Sequence, residues 1–305
     1  MQKKMTKRRK ALRRELKGLA FVAPAFIGLL VFTLYPMVNA VINSLYNWNM
    51  GGRSAKKFVG LYNYRKLFRN DEIYLILSNT LRYVLYILPF ILVFGFLLGV
   101  LLQKKSKLNV VFRTLIYTPH VASMVGLSVV WLYIFNPQYG ILNAALSAVG
   151  LRPLRWINDT STAHMSIVIV TIWRTLGYCV VVYLGAIQNI SEEIIEAAHI
   201  DGANAWHKLL SITIPMSTPI IFYNLITGII GSLQVNSSLI VGGAEGRGVG
   251  DSLYFVAIKI YNEAFGGSYN MGYASAYAWV LFIFIALLTF LVFKKSKWVF
   301  YGEEG

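Results

Sequence analysis

The apolar positions of this 305-residue chain run together in long blocks instead of recurring at a fixed spacing. A helix rising 1.5 Å per residue needs about twenty such residues to cross ~30 Å of hydrocarbon. Six stretches supply them: Gly18 to Ile42, Tyr83 to Leu102, Thr114 to Phe135, His164 to Ile187, Pro219 to Val241 and Met271 to Phe293. Only the fourth contains a charge, Arg174. The first is longer than the apolar core of a secretory signal and lacks a small-residue cleavage site, so it reads as an anchor. The pattern predicts an all-α, polytopic membrane protein with six transmembrane helices. A basic segment at 1–17 precedes one membrane domain at 18–293, and a tail follows at 294–305.

Composition agrees with the pattern: 56% of residues are hydrophobic, 14% are charged and the mean hydropathy is +0.56. The charges add a direction. Seventeen lysines and arginines fall on the side holding both ends, and ten fall opposite. Loops rich in these residues stay cytoplasmic, so both termini are expected in the cytoplasm. Six of the ten opposing cations lie in the first outer loop, where Phe58, Leu61, Tyr64 and Phe68 recur at helical spacing. That loop is read as a surface-lying amphipathic helix. The formal net charge of +16 is scattered over membrane flanks, so no nucleic acid partner is expected. One cysteine, Cys179, excludes an internal disulfide, and no histidine pair has metal-binding spacing.

The longest polar interruption of the second half is "EEIIEAAHIDGANAWHKLLSITIPMSTP", Glu192 to Pro219. Ser191 is placed to cap a helix whose first turn carries Glu192 and Glu193. Ile194, Ala197 and Ala198 share one small-residue face, and Glu192, Glu193 and Glu196 another. Asp201-Gly202 ends the helix, and Ala203 to Ile212 forms a second one, broken before Pro215. Lipid-resting connectors show large apolar groups and lysines. Alanines and carboxylates suit insertion into a protein cleft instead, with an ordinary connector resting on the bilayer as the competing reading.

Glu196-Ala197-Ala198, then Gly202, Ile212 and Ile214-Pro215 at their intervals, resemble the EAA loop of permease subunits of binding-protein-dependent ABC importers. "FVAPAFIGLLVFTLYPM", "FVGLYNYRKLF", "SNTLRYV" and "GYASAYAWVLF" resemble its carbohydrate-uptake branch, most like the maltose and glycerol-3-phosphate types. Ile214 replaces the usual leucine, and "GGAEGRGVGDS" stands where that branch has a Gly-Gly-Pro turn. The resemblance implies an ABC importer permease fold, with 191–215 as a cytoplasmic coupling loop docking on an ATPase. Glu192, Glu193, Glu196, Ala197, Ala198, Asp201, Gly202 and Ala203 would make that contact. It further implies a second homologous permease, two ATPase subunits and an external solute-binding protein, together importing a sugar, most simply an oligosaccharide.

ATP and Mg would be used by the partner, since this chain has no phosphate-binding G-x-x-x-x-G-K-[ST] and is expected to bind no cofactor itself. No catalytic role is expected either. The glycines between 242 and 250 are read as a flexible outer loop. Intramembrane charges are functional candidates because lipid makes them costly. Arg174 therefore heads the solute-path candidates, with Thr171 and Tyr178 on its helical face and Ser232, Gln234 and Asn236 on the fifth span. A structural role between helices is the competing reading for each. Uptake of glycerol-3-phosphate or another polyol derivative stays open. A secondary transporter would usually need a membrane-embedded carboxylate, and no predicted span contains Asp or Glu.

Overall fold

The computed structural model describes residues 2–52, 55–237 and 245–300. Helix α1 (Gln2–Leu29) runs through a π-turn at Leu30–Leu34 into α2 (Tyr35–Ser44). A short antiparallel hairpin follows, β1 (Tyr46–Asn47) against β2 (Lys57–Phe58). Next come α3 (Tyr62–Arg69), α4 (Glu72–Leu101), α5 (Lys107–Val121), α6 (Met124–Ile134), α7 (Ile141–Ala148) and α8 (Ala163–Ile187). An elbow is built from α9 (Glu192–Ile200), α10 (Ala205–Lys208), a second π-turn at Leu209–Thr213 and α11 (Ile214–Met216). Then α12 (Thr218–Leu233), α13 (Val256–Phe265) and α14 (Met271–Lys294) follow.

Among the described residues four helices are long and apolar enough to cross a membrane: Arg14–Ser44, α4, α8 and α14. Two further pairs qualify only together, α5 with α6 bent by 101° and Ala205–Met216 with α12 bent by 64°. Among the described residues there are thus four candidate spans by length and composition, or up to six if each bent pair is one.

Several predicted boundaries move, each for a local reason. The second span begins at Glu72, well before Tyr83, because Arg82 sits on an exposed face and a surface charge does not end a helix. The third breaks at Ala122 and Ser123, whose backbones are extended just after Pro119. The described fifth helix stops at Leu233, so Gln234 and Asn236 lie beyond it; residues 238–241, the end of that predicted span, and Gly242 and Gly243 are outside the described residues. The elbow's second helix is not broken before Pro215 but continues to Met216. Both π-turns stand two residues ahead of a proline, Pro36 and Pro215. A proline ring presses on the carbonyl four residues back. Here those carbonyls, of Phe32 and Ser211, belong to the widened turns, which make room for the ring.

The amphipathic helix is α3, but Phe58 belongs to β2 and the buried residues are Asn63 and Leu67. Asn63 Nδ2 donates to the carbonyls of Ser44 (2.7 Å) and Tyr46 (2.9 Å), and Tyr64 Oη pairs with Ser44 Oγ at 2.7 Å. Phe58, Leu61 and Phe68 remain exposed.

The centre of the bundle is α4 lying parallel to α8. A Cβ on Gly99 would come within 3.1 Å of Tyr183, and Tyr83 Oη donates to Thr171 Oγ1 at 2.9 Å, so both helices run the same way. Small residues let the backbones approach, as membrane interfaces require. Ile76, Ile87, Ile167, Leu233 and Phe255 fill the core around them. One end of the bundle gathers the starts of α4, α8 and α14. At the other, Gln188 Nε2 donates to the Gln103 carbonyl (3.1 Å) and the Phe300 N–H to Thr218 Oγ1 (2.8 Å), beside the elbow.

Candidate functional site

The elbow folds as its sequence dictates. Ser191 Oγ accepts the Glu193 N–H at 3.3 Å and opens α9. The helix closes in a Schellman arrangement, the Ala203 N–H donating to the Ala198 carbonyl (2.9 Å) and the Gly202 N–H to that of His199 (3.1 Å). Gly202 has φ +78°, a conformation that glycine adopts without a side-chain penalty. Asn204 Oδ1 then accepts the His207 N–H at 2.8 Å and starts α10.

Glu192, Glu193, Glu196, Ala197, Asp201 and Gly202 are exposed, and Ala198 and Ala203 half-buried. None of the four carboxylates is in an ion pair among the described residues. Ala198, Asp201, Gly202, Asn204 and His207 edge an open cleft of about 480 Å³. The reading of a small-residue face missed what stands around it: Ile200, Trp206 and Leu210 are 86%, 70% and 60% exposed. Water does not favour such a display; groups of this kind anchor protein interfaces and also rest on lipid, so the absence of large apolar groups no longer sets this elbow apart from a lipid-resting connector. Trp206 in a polar stretch was the available signal.

The six solute-path candidates do not form one wall. Thr171 is spent inside the protein, accepting from Tyr83 and donating to the Ile167 carbonyl at 2.9 Å. Ser232 is buried and donates to the Ile229 carbonyl at 3.2 Å. Gln234 and Asn236 follow the end of α12. Tyr178 does reach a shared surface: its ring stacks on His120 (4.9 Å between centroids), its Oη lies 3.3 Å from that of Tyr223, and Tyr117 packs on His120 at 5.6 Å. Arg174 lies one turn before Tyr178, and its buried Nε has no hydrogen-bond partner among the described residues. Three elements, α5, α8 and α12, thus bring a cation and a shelf of four partly exposed rings together. His120, Tyr117 and Tyr223 escaped the sequence reading because the helix bend that gathers them has no periodic signature.

The far end carries a charge cluster that spacing could not reveal. Glu72 meets Arg247 and Lys259, each at 2.5 Å, while Lys259 also contacts Glu263 (3.0 Å) and Arg247 contacts Asp251 (3.0 Å) and Glu245 (3.3 Å). Burial alone would lower the pKa of the Lys259 ammonium, but the hydrogen bonds it donates to Glu72 and Glu263 outweigh that and push it up. The described part of the glycine loop, expected to be flexible, is fastened here through Arg247.

Residues 91–294 match the family model described as binding-protein-dependent transport system inner membrane component. The chain is 33% identical to the lactose transport system permease protein LacF of Rhizobium radiobacter over 96% of this chain and 98% of that one. It is 33% identical to the probable ABC transporter permease protein YesP of Bacillus subtilis over 98% and 97%, and 32% to the arabinooligosaccharides transport system permease protein AraP of the same organism over 90% and 87%. Among solved structures, it superposes on a chain of a bacterial alginate ABC transporter in complex with a pentasaccharide-bound periplasmic protein. That match has a TM-score of 0.82 and 21% identity, over 94% of this chain and 96% of that chain.

Proposed function

The chain belongs to the family of inner membrane components of binding-protein-dependent transport systems, and from that premise we propose how it works: as one half of a sugar pathway driven by a separate ATPase. It is a multi-pass membrane permease subunit, a transport component and not an enzyme. The cargo is a sugar, most simply an oligosaccharide, in keeping with relatives named for lactose and arabinooligosaccharides.

The observation that carries the reading is the elbow. Unpaired carboxylates, a small-residue turn and exposed Ile200, Trp206 and Leu210 converge on one surface at one end of the bundle. The ATPase docks there, with Glu196 meeting a basic group and Ala197 and Ala198 permitting close approach. Both chain termini and the elbow face the cytoplasm, with six passes between. Closure of two ATPase subunits moves the elbow, and the packing of spans shifts from inward- to outward-facing. A homologous second permease completes the path, and an external binding protein delivers the solute.

Within this chain the solute meets the Tyr117, His120, Tyr178 and Tyr223 rings, whose faces suit the apolar side of a pyranose, with Arg174 beside them. The partly exposed Arg174 guanidinium beside these rings favours a cargo bearing a carboxylate or phosphate, which keeps sugar acids and polyol phosphates within the proposal.

The test is affinity capture of the assembled complex in mild detergent, comparing wild type with Glu196→Lys. An ATPase and a second permease should accompany wild type, and the ATPase should be lost from the variant. Capture of the chain alone, or indifference to the charge reversal, rejects the coupling role.

A further inference from the structure

At the far end of the bundle, beneath α3, lies a cavity of about 210 Å³ lined by carbon alone. Phe68, Ile73, Leu77, Leu81, Val280 and Phe284 form most of its wall. Phe68 and Leu81 are exposed and mark its mouth, while Ile73 is buried. Its deepest wall residues, Leu81 and Phe284, lie about 13 Å from the start of α4 and about 20 Å from the start of α14 at 1.5 Å per residue. One leaflet's hydrocarbon is ~15 Å thick, half of ~30 Å. Both depths fall short of the full ~30 Å, which assigns the cavity to one leaflet, with Phe68 and Leu81 at its exposed edge.

A cationic rim covers its top. α3 carries Arg65, Lys66 and Arg69, all exposed, and none is in an ion pair among the described residues. Glu72, one of the two carboxylates following α3, is already held by Arg247 and Lys259, which leaves Asp71 against three cations. Lys66 Nζ lies 4.4 Å from the centre of the Tyr273 ring, and Tyr273 packs edge-on against Tyr277 of the cavity wall (5.1 Å). The rim and the cavity are thereby joined through α14.

We propose that this is a binding site for an anionic phospholipid of that leaflet. One acyl chain enters between Phe68 and Leu81, and the phosphate rests among Arg65, Lys66 and Arg69. An apolar slot at leaflet depth beneath a basic amphipathic helix satisfies both halves of such a lipid at once. The site also accounts for cations that run against the charge asymmetry of the chain: they serve a headgroup, not topology. The proposal needs the membrane but not the identity of the transported solute.

The experiment measures lipid retained by the purified intact complex after exposure to vesicles of equimolar phosphatidylglycerol and phosphatidylcholine, counted by native mass spectrometry. Wild type should hold phosphatidylglycerol in excess. Arg65→Gln, Lys66→Gln and Arg69→Gln together should lower that excess by about fivefold for each charge removed. Val280→Trp, which fills the slot, should lower retained lipid of both kinds, and Leu81→Phe at the mouth serves if that variant does not assemble. Equal retention of the two lipids by wild type overturns the proposal, as does an excess untouched by the charge and slot variants. Cross-linking of Leu81→Cys to the second permease in native membranes would also overturn it, since protein would then cover the mouth.

Discussion

Lys259 and Glu72, 187 residues apart in sequence, are joined at 2.5 Å, fastening α13 to the first turn of α4. The Lys259 side chain is 7% exposed and that of Glu72 25%. Removing one partner of such a pair strands the other in a poorly hydrated place. Glu72→Gln should therefore cost roughly 1–3 kcal/mol, tempered by Glu263, which still holds the ammonium. The double variant Glu72→Gln/Lys259→Met should be less damaged than Glu72→Gln alone, read as thermal midpoints in detergent. Additive losses would show that the two are not coupled.

The sign of the pH dependence follows from the same contact. A lysine whose pKa is raised on folding contributes stability that is complete below its ordinary value of 10.5 and declines as pH passes the raised one. Wild-type stability should show no loss attributable to Lys259 between pH 7 and 10. A midpoint that falls in this window in wild type and not in Lys259→Met would contradict the assignment.

Gly202 allows charge to be separated from strain at the elbow. With φ +78°, alanine there costs about 1–2 kcal/mol, whereas aspartate tolerates the left-handed region better. If only the turn matters, Gly202→Ala should be at least as harmful as Gly202→Asp. If the surface docks against an ATPase, Gly202→Asp should be worse, leaving ATP hydrolysis no longer matched by uptake. Both activities are measured in reconstituted vesicles, and normal uptake by Gly202→Asp would count against docking.

Thr171 and Tyr178 should separate cleanly although they face the same way on α8. Thr171→Val removes a hydroxyl that Tyr83 bonds, costing about 1 kcal/mol of stability with the apparent solute affinity unchanged. Tyr178→Ala removes a ring from the shelf and should raise the solute concentration for half-maximal uptake. Uptake assays over a solute series, beside thermal midpoints, distinguish the two.

How much of this was legible beforehand depends on whether information was local. Spans such as Met271–Lys294 are written in composition, and Ser191, Gly202 and Asn204 announce caps by residue type. The bend at Ala122–Ser123 was hidden because both flanks are apolar enough to be read as one rod. The Glu72 cluster was hidden because its members are near one another only after folding. Arg247 and Lys259, counted in sequence as topology charges, are occupied by carboxylates. Thr171 and Ser232 looked available for a solute because a sequence does not show which backbone carbonyl a hydroxyl already serves.

Two glycines of α8 give a test that reaches from packing to transport. A Cβ on Gly177 would strike the backbone carbonyl of Ile116 in α5, which has no flexible end to move aside, whereas Gly185 is exposed with nothing within 4 Å. Gly185→Ala should stabilise the helix, by up to about 1 kcal/mol from propensity alone. Gly177→Ala gains the same propensity but must push α5 away, and overpacking of this kind costs about 1–3 kcal/mol. α5 carries His120, which stacks on Tyr178 immediately after Gly177, so the same displacement should disturb the ring shelf. Gly177→Ala is therefore expected to lower both the thermal midpoint and solute uptake, and Gly185→Ala to raise the midpoint with uptake intact. Equal behaviour of the two variants would mean that α5 and α8 are not in backbone contact, and the shelf would lose the packing that holds it.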